Sequence, residues 1–465
     1  MIRPRVGLLV PYVSFYETIV PLRGEKIAFA GAISEKLRSE FDIVDGGLIT
    51  TEEEGRQAGK TFAGKNLDAV VVAPAVATFG ALAWAALREL SLPVCLWQVQ
   101  PDCRLQCDYD IAKLIRNSGS LGIQALANTL MREGHFFRVG FSCFEDPFPP
   151  KLKLTVESAA VWNALRRARL GRIGSPFEQM TDVALNASKW LGAPVADIPS
   201  SEILHAYQAQ SATSVAARET EIVQSHEIVE LTEDELSRSA RLSLALDVIV
   251  NEYQLDGGAF NCHGANCLQN PAIGVTACYA VSRHTSGGCP FSCTGDLPTA
   301  IAMKILQDLS GWVLYAELDF VDRERNLVLL ANGGEGNFGA PTGPVVVAGN
   351  ENFRGQCGRG ASLRFEPFRG PATILSFTPR ASDKCYRMIA AEGTLEASPP
   401  LQIGVFHAAF RFNRHSAVTA YEGWCEAGAV HHLALAPGHW VGHLEQFALQ
   451  SGFELVVVGG SESCD

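Results

Sequence analysis

The sequence lacks any apolar run of the ~18 residues needed to span a bilayer. It also lacks an excess of positive charge: 38 Lys and Arg stand against 50 Asp and Glu, a net charge of −12. That balance argues against nucleic acid or an anionic membrane surface as the main partner. The opening stretch "MIRPRVGLLVPYVSFY" has no small-residue cleavage site, and "VGLLV" reads as a first buried strand. The expectation is a cytoplasmic protein. No G-x-G-x-x-G follows that strand and no P-loop occurs, so the common phosphate-cradling loops are excluded. The glycine-rich "GGEGNFG" (Gly333–Gly339) precedes no helix and reads as a turn. Internal repeats and low-complexity segments are absent too.

Cysteine is not scarce, but its pattern is. Thirteen cysteines, an odd number, are scattered over 465 residues, which is not the framework of a small disulfide-bonded secreted domain. Most are expected to be reduced, small apolar residues of the core. One dense group, Cys262, His263, Cys267, Cys278, Cys289 and Cys293, raises a zinc or redox reading. No C-x₂-C occurs in it, and buried free thiols are the commoner explanation.

What is present is enough chain for two or three domains. The first third alternates apolar strands ("RVGLLVPY", "LDAVVVAPAV", "LPVCLWQVQ", "FRVGFSCFE") with helical stretches such as Ala28–Phe41 and Phe79–Leu90. That alternation predicts a parallel sheet covered on both faces. Ligands in such sheets bind beyond the strand C-termini, where Tyr16, Glu17, Gln98 and Gln100 fall. A polar helical stretch, Lys151–Ser239, leads into a second α/β unit. Near Gly311 the pattern changes to short strands bounded by Gly, Pro, Asn and Asp, as in "WVLYAELDFVD", "NLVLLANGG" and "AVHHLALAPG". Short turn-bounded strands predict an antiparallel sheet or barrel.

The stretch "FSCTGDLPTAIAM" (Phe291–Met303) reads as strand, polar turn and helix start. Asp296 suits the N-cap and Pro298 the first helical turn, with Ile301, Ile305 and Leu309 marking a buried face. Four places bring metal-capable groups to element ends: Thr294/Asp296, Glu317/Asp319, Asn332/Glu335 and His439/His443. Each is weak alone, because charged residues default to the surface. His431 and His432 share a strand-like run in which at least one faces solvent.

Four segments carry a family likeness: "GSLGIQALANTLMREG" (Gly119–Gly134), "IGSPFEQMTD" (Ile173–Asp182), "ACYAVSRHTSGGCPFSCTGDLPTAIAM" (Ala277–Met303) and "APGHWVGHLEQFALQSGFELV" (Ala436–Val456). Through them nearly the whole chain resembles the L-arabinose isomerase and L-fucose isomerase superfamily of cytoplasmic sugar ketol-isomerases. The resemblance implies two consecutive parallel α/β (Rossmann- or flavodoxin-like) domains, 1–150 and 151–312, then a β-rich, barrel-like domain, 313–465. It also implies a trimer or hexamer. Family members hold Mn²⁺ between two carboxylates and two histidines, and the carboxylates shuttle a proton between C1 and C2 through an enediol.

Carried over residue by residue, the likeness is half kept. Thr294 stands where the first carboxylate is expected and Glu317 matches the second. Asn332 stands where the first histidine is expected and His439 matches the last. The expected metal ligands are therefore Glu317 and His439, and with two of four ligands replaced Mn²⁺ is expected to bind weakly. The expected catalytic groups are Glu317, Asp296 and His439, with Tyr16, Glu17, Gln98, Gln100, Thr294 and Asn332 as substrate contacts. The implied activity is aldose–ketose chemistry on a sugar or polyol, with little Mn²⁺-dependent turnover of L-arabinose or L-fucose. The alternatives are a metal-independent lyase, epimerase or hydrolase on the same scaffold, or a non-catalytic sugar-binding subunit.

Overall fold

The predicted first strand is β1 (Arg5–Pro11), buried at six of its seven residues. It pairs in parallel with β2 (Asp42–Ile49) and β3 (Ala69–Val72), and β4 (Val94–Gln100) and β5 (Phe137–Cys143) extend the sheet in the order β2-β1-β3-β4-β5. The order reverses between β1 and β3, which opens a crevice at the strand C-termini. Helices Arg23–Arg38, Glu52–Ala63, Gly80–Leu87 and Gly119–Arg132 lie between the strands in sequence. Helices Glu52–Ala63 and Gly80–Leu87 approach through glycine: a Cβ on Gly59 would lie 2.6 Å from the Ala86 carbonyl oxygen.

The computed structural model describes residues 2–177, 179–183, 194–263, 267–339, 342–353, 359–380, 386–399 and 401–459. It divides into two compact units, Ile2–Asn163 with His443–Ser451, and Ala164–Gly442 with Gly452–Asp465. The first unit thus borrows most of helix Val441–Ser451 from the far end of the chain. Ser158 Oγ donates to the His443 carbonyl at 2.8 Å, and Trp162 packs edge-on to Phe447. The ranges expected as central and C-terminal domains share the second unit.

That unit contains a second parallel sheet. Its strands come from β6 (Leu170–Ile173), β7 (Val195–Ile198), β8 (Glu227–Val229), β9 (Gly257–Phe260) and β10 (Phe291–Cys293), of which four assemble in the order β10-β9-β6-β7. The stretch Lys151–Ser239, expected to be helical, therefore carries three strands. They are three or four residues long, too short to leave a period-2 signal.

The change of character near Gly311 is the start of β11 (Leu314–Asp322). The remaining strands are β12 (Leu327–Ala331), β13 (Val346–Gly349), β14 (Ala361–Arg364), β15 (Gly370–Pro379), β16 (Tyr386–Glu396), β17 (His407–Phe412), β18 (His432–Pro437) and β19 (Glu454–Val457). Six of these close an antiparallel barrel, β15-β18-β11-β12-β17-β16, because β16 also pairs with β15. β19 adds to β16 in parallel. β13 and β14 leave the barrel and form a three-stranded sheet with β8. The fold is thus parallel α/β sheets plus a C-terminal antiparallel barrel, as the strand patterns predict.

Strand residues alternate between faces. Leu314, Ala316, Val328, Leu330, Ile374, Leu433 and Leu435 form one apolar cluster, so Tyr315, Glu317 and His432 lie on the opposite face of the barrel wall. Helix Leu297–Ser310 packs on that face against β15 and β18 and also touches β9. Contact on both sides explains why it is buried almost all round, rather than along the single stripe of Ile301, Ile305 and Leu309.

Candidate functional site

The turn between β10 and helix Leu297–Ser310 is tight. Thr294 and Gly295 both take left-handed backbone, with φ of 53° and 75°. This reversal drops Asp296 onto the N-cap, where Oδ1 accepts from Thr299 N at 2.9 Å. The cap reading therefore holds, but the carboxylate has a second duty. Asp296 Oδ2 accepts from His432 Nδ1 at 2.7 Å, with both side chains buried. The carboxylate fixes the imidazole with its proton on Nδ1, which turns Nε2 outward.

Nε2 meets Glu317. β11 and β18 pair antiparallel with Glu317 opposite His432, and His432 Nε2 lies 3.6 Å from Glu317 Oε1. Tyr315, two residues back on the same face, donates its hydroxyl to that Oε1 at 2.9 Å. Burial pushes the Tyr315 hydroxyl well above the usual phenol range, so it stays a donor. Asp296–His432 and Tyr315–Glu317 are thus two hydrogen-bonded pairs that face each other across 3.6 Å, from His432 Nε2 to Glu317 Oε1. Glu317 is their solvent-facing member, with a third of its side chain exposed.

Tyr315, Glu317 and His432 line a cavity of about 250 Å³, together with Cys262, His263, Cys278, Cys293, Thr294 and Glu335. His263 Nε2 is 3.6 Å from Cys293 Sγ, and burial holds its imidazole below the usual histidine range. A hydrogen bond with Cys262, then burial, raises the Cys293 thiol well above the usual range. Burial likewise raises the Glu335 carboxyl, whose Oε2 has no hydrogen-bond partner. Thr294 Oγ1 is a second buried polar atom left unpartnered. Cavities with convergent polar groups and shifted titrating groups are the default place for chemistry.

The expected site residues divide. Glu317, Asp296 and Thr294 belong to this cavity or its immediate support. Asn332 does not line it: its amide donates to the Tyr315 and Glu335 carbonyls at 2.9 and 3.0 Å and accepts from Gly334 N at 3.0 Å. Its role is to pin a loop. His439 is exposed beyond the opposite end of β18, with Nε2 3.3 Å from Asn413 Nδ2 and 3.4 Å from the Gly393 carbonyl. The structure does not bring it to Glu317; His432, seven positions earlier, takes that place.

The remaining four lie in the other unit. Glu17 accepts from the Tyr12 hydroxyl and from Leu22 N, at the start of helix Arg23–Arg38. Tyr16 packs against the apolar core. Gln100 donates to the Asp102 carbonyl at 2.7 Å. Gln98 is buried with both amide atoms unpartnered, beside Gly119. Of the cysteines, Cys103 and Cys143 form a disulfide in this unit, while Cys95, Cys262, Cys267, Cys278, Cys289 and Cys293 are free and largely buried.

The Mn²⁺ implied by the resemblance can be tested against the donors present. Thr294 offers a neutral hydroxyl, and the Asn332 and His439 side chains are engaged elsewhere. Among the described residues, Cys262, His263 and Cys293 are the one group of three His, Cys, Asp or Glu whose ligand atoms all lie within 4.8 Å of each other. Two thiols and an imidazole are soft donors, whereas Mn²⁺ favours oxygen and imidazole. The donor set does not fit Mn²⁺.

No family model matches the chain, and no curated protein matches it. Among solved structures 24 chains match. One is a cellobiose complex of the transcriptional regulator CelR, 11% identical, covering 63% of this chain and 82% of that one with a TM-score of 0.16. So loose a superposition carries no argument about this chain.

Proposed function

We propose that this protein is an acid–base enzyme that moves a proton between adjacent carbons of a small sugar or sugar-like polyol, through an enediol. The single observation that carries this reading is the Asp296–His432 pair facing Glu317 at the cavity. A carboxylate base beside an oriented imidazole is the minimum set for enolisation next to a carbonyl.

In an aldose, Glu317 takes the proton from C2. The C2–H electron pair forms the C1–C2 double bond, and the carbonyl π pair moves to O1. His432, protonated and backed by Asp296, donates from Nε2 to O1, giving the enediol. It then receives the O2 proton as the C2 carbonyl forms, and Glu317 returns its proton to C1. Every proton taken is returned, so the net change is aldose to ketose. Returning the proton to C2 from the other face would instead give epimerisation. Tyr315 holds the Glu317 carboxylate in place through its hydroxyl.

A cavity of about 250 Å³ suits a small polyol better than an oligosaccharide. The resemblance adds the expectation of a cytoplasmic trimer or hexamer. Among the described residues, no helix is long and apolar enough to cross a membrane.

The test is exchange in deuterated water across a panel of aldoses, ketoses and sugar acids, read by mass spectrometry. Enolisation places deuterium on the carbon beside the carbonyl even where net conversion is slight. Glu317→Gln should cut the rate about 10²–10⁴-fold. A panel in which no compound exchanges, or a Glu317→Gln variant that exchanges as fast as wild type, refutes the reading.

A further inference from the structure

We propose that Cys262, His263 and Cys293 form a zinc site with one coordination position open to the cavity. The three residues converge because two parallel strands end side by side. Phe260 of β9 pairs with Cys293 of β10, and adjacent strand ends lie about 4.8 Å apart. Beyond β9 the chain turns at Asn261, whose side-chain oxygen accepts from His263 N at 3.1 Å while its amide donates to the Ser175 carbonyl at 2.7 Å. That turn lets the consecutive residues Cys262 and His263 face one place, which an extended strand forbids.

The spacing fits the ion. Zinc lies about 2.3 Å from thiolate sulfur and about 2.05 Å from imidazole nitrogen, so a tetrahedral angle puts S and N about 3.6 Å apart. Cys293 Sγ and His263 Nε2 are 3.6 Å apart, and all three ligand atoms lie within 4.8 Å of each other. Two thiolates and an imidazole are a soft, tetrahedral donor set that selects zinc over manganese or magnesium. Three protein ligands leave the fourth position free, the pattern of catalytic rather than structural zinc.

A second observation points to a ligand here. Glu335 is buried with Oε2 unpartnered and lines the same cavity as the three donors. A buried carboxyl oxygen without a partner is costly, and a water or hydroxyl held on the metal would give Oε2 one. On binding, both thiols ionise, so each Zn²⁺ displaces two protons and leaves a protein site of zero net charge. Glu317 and His432 line the same cavity as the three donors, so a metal held there would polarise a carbonyl or hydroxyl oxygen within reach of both.

The assignment does not depend on the proton-transfer reading, and its test reads the metal alone. The full chain, reduced and stripped with chelator, is titrated with Co²⁺ under anaerobic conditions. The expected result is one equivalent per chain with thiolate-to-cobalt charge-transfer absorption and the intense ligand-field bands of tetrahedral geometry. Loading the apo protein with Co²⁺, or with Zn²⁺ directly, should release two protons per ion, and Zn²⁺ should displace bound cobalt with no further proton release. Cys262→Ser, Cys293→Ser and His263→Gln should each lose or weaken the signal, while Cys425→Ser, at an exposed site, keeps it. Melting curves identify any variant that fails to fold, and the remaining two then carry the test. Absence of a thiolate signal in the reduced protein, or a signal that persists in the folded Cys293→Ser variant, overturns the proposal. So does a protein that only oxidises to a Cys262–Cys293 disulfide and binds no cobalt once reduced.

Discussion

The two ends of β18 carry a histidine each, and they differ in everything but residue type. His432, at the start, is buried, held through Nδ1 by Asp296 and faced through Nε2 by Glu317. His439, just past the end, is exposed and among the described residues meets an amide and a carbonyl at 3.3–3.4 Å. A histidine becomes chemically useful when a carboxylate sets its tautomer and a cavity receives its other nitrogen. Only the start of β18 provides both, because helix Leu297–Ser310 is packed over that face and delivers Asp296 at its N-cap.

A large effect, smaller than that of Glu317→Gln or His432→Asn, should come from removing the charge behind His432. Asp296→Asn keeps a good N-cap residue, so the melting temperature should change little. A neutral amide no longer backs the imidazole through Nδ1, so the doubly protonated ring that donates from Nε2 loses its counter-charge and is a poorer acid. Deuterium exchange should fall about 10–100-fold, the usual cost of losing a supporting carboxylate. Equal exchange rates for Asp296→Asn and wild type would mean that the contact is a cap and nothing more.

Asn332 sharpens the same contrast from the stability side. As a family ligand it should be dispensable for folding. As a buried amide with three backbone bonds it should not. Asn332→Ala strands buried backbone groups at about 1–3 kcal/mol each, so urea unfolding should show a loss of about 3 kcal/mol or more. A near-neutral variant would put Asn332 back among the ligand candidates. Restoring a Mn²⁺ site by Asn332→His is expected to fail for the same reason, since no imidazole reproduces those three bonds.

The fold was legible because its signals are long. β1 and the barrel strands carry runs of apolar residues or clean turns, and the barrel begins at Leu314, three residues past Gly311, where the pattern changes. β13 and β17, like the strands within Lys151–Ser239, leave no clear signal, because three to six residues are short of one decisive period. The site was half legible. Glu317 and Asp296 stand out as carboxylates at element ends. His432 was visible as one of two adjacent histidines in a strand, where one must face inward, yet nothing local says which face holds a carboxylate. That depends on the β11–β18 register and on the helix docked above it, neither of which is encoded in a short motif. His439, in the conspicuous "PGHW" turn, drew attention that belonged to a plainer neighbour.

The helix that delivers Asp296 has a second buried carboxylate at its other end. Asp308 pairs with Lys304 at 2.6 Å, yet its Oδ2 has no partner, and burial raises its carboxyl above the ordinary range despite the lysine. A carboxylate in the last helical turn also opposes the helix dipole, whereas Asp296 at the N-terminus is favoured by it. A raised folded-state pKa means stability that is present in acid and lost as pH rises from about 3.8 through the folded value. Asp308→Asn removes that loss. Its stability relative to wild type should therefore grow with pH over this window and then level off, by less than the Asn332→Ala effect. A difference that shrinks with rising pH would show that the Lys304 pair, not burial, governs Asp308.

The smallest expected effect is the one that most directly tests the comparison. His439→Ala removes an exposed ring whose nearest polar partners are Asn413 Nδ2 and the Gly393 carbonyl. Surface substitutions of this kind stay within about 0.5 kcal/mol, and no cavity group loses a neighbour. Exchange rate, melting temperature and cobalt spectrum should all match wild type. His432→Asn, in contrast, removes the imidazole that faces Glu317 and should abolish exchange. The two variants therefore form a paired experiment on one strand. If His439→Ala abolishes exchange while His432→Asn spares it, the family alignment that puts the last ligand at His439 is right. The Asp296–His432 contact would then be a buried structural pair of the barrel wall.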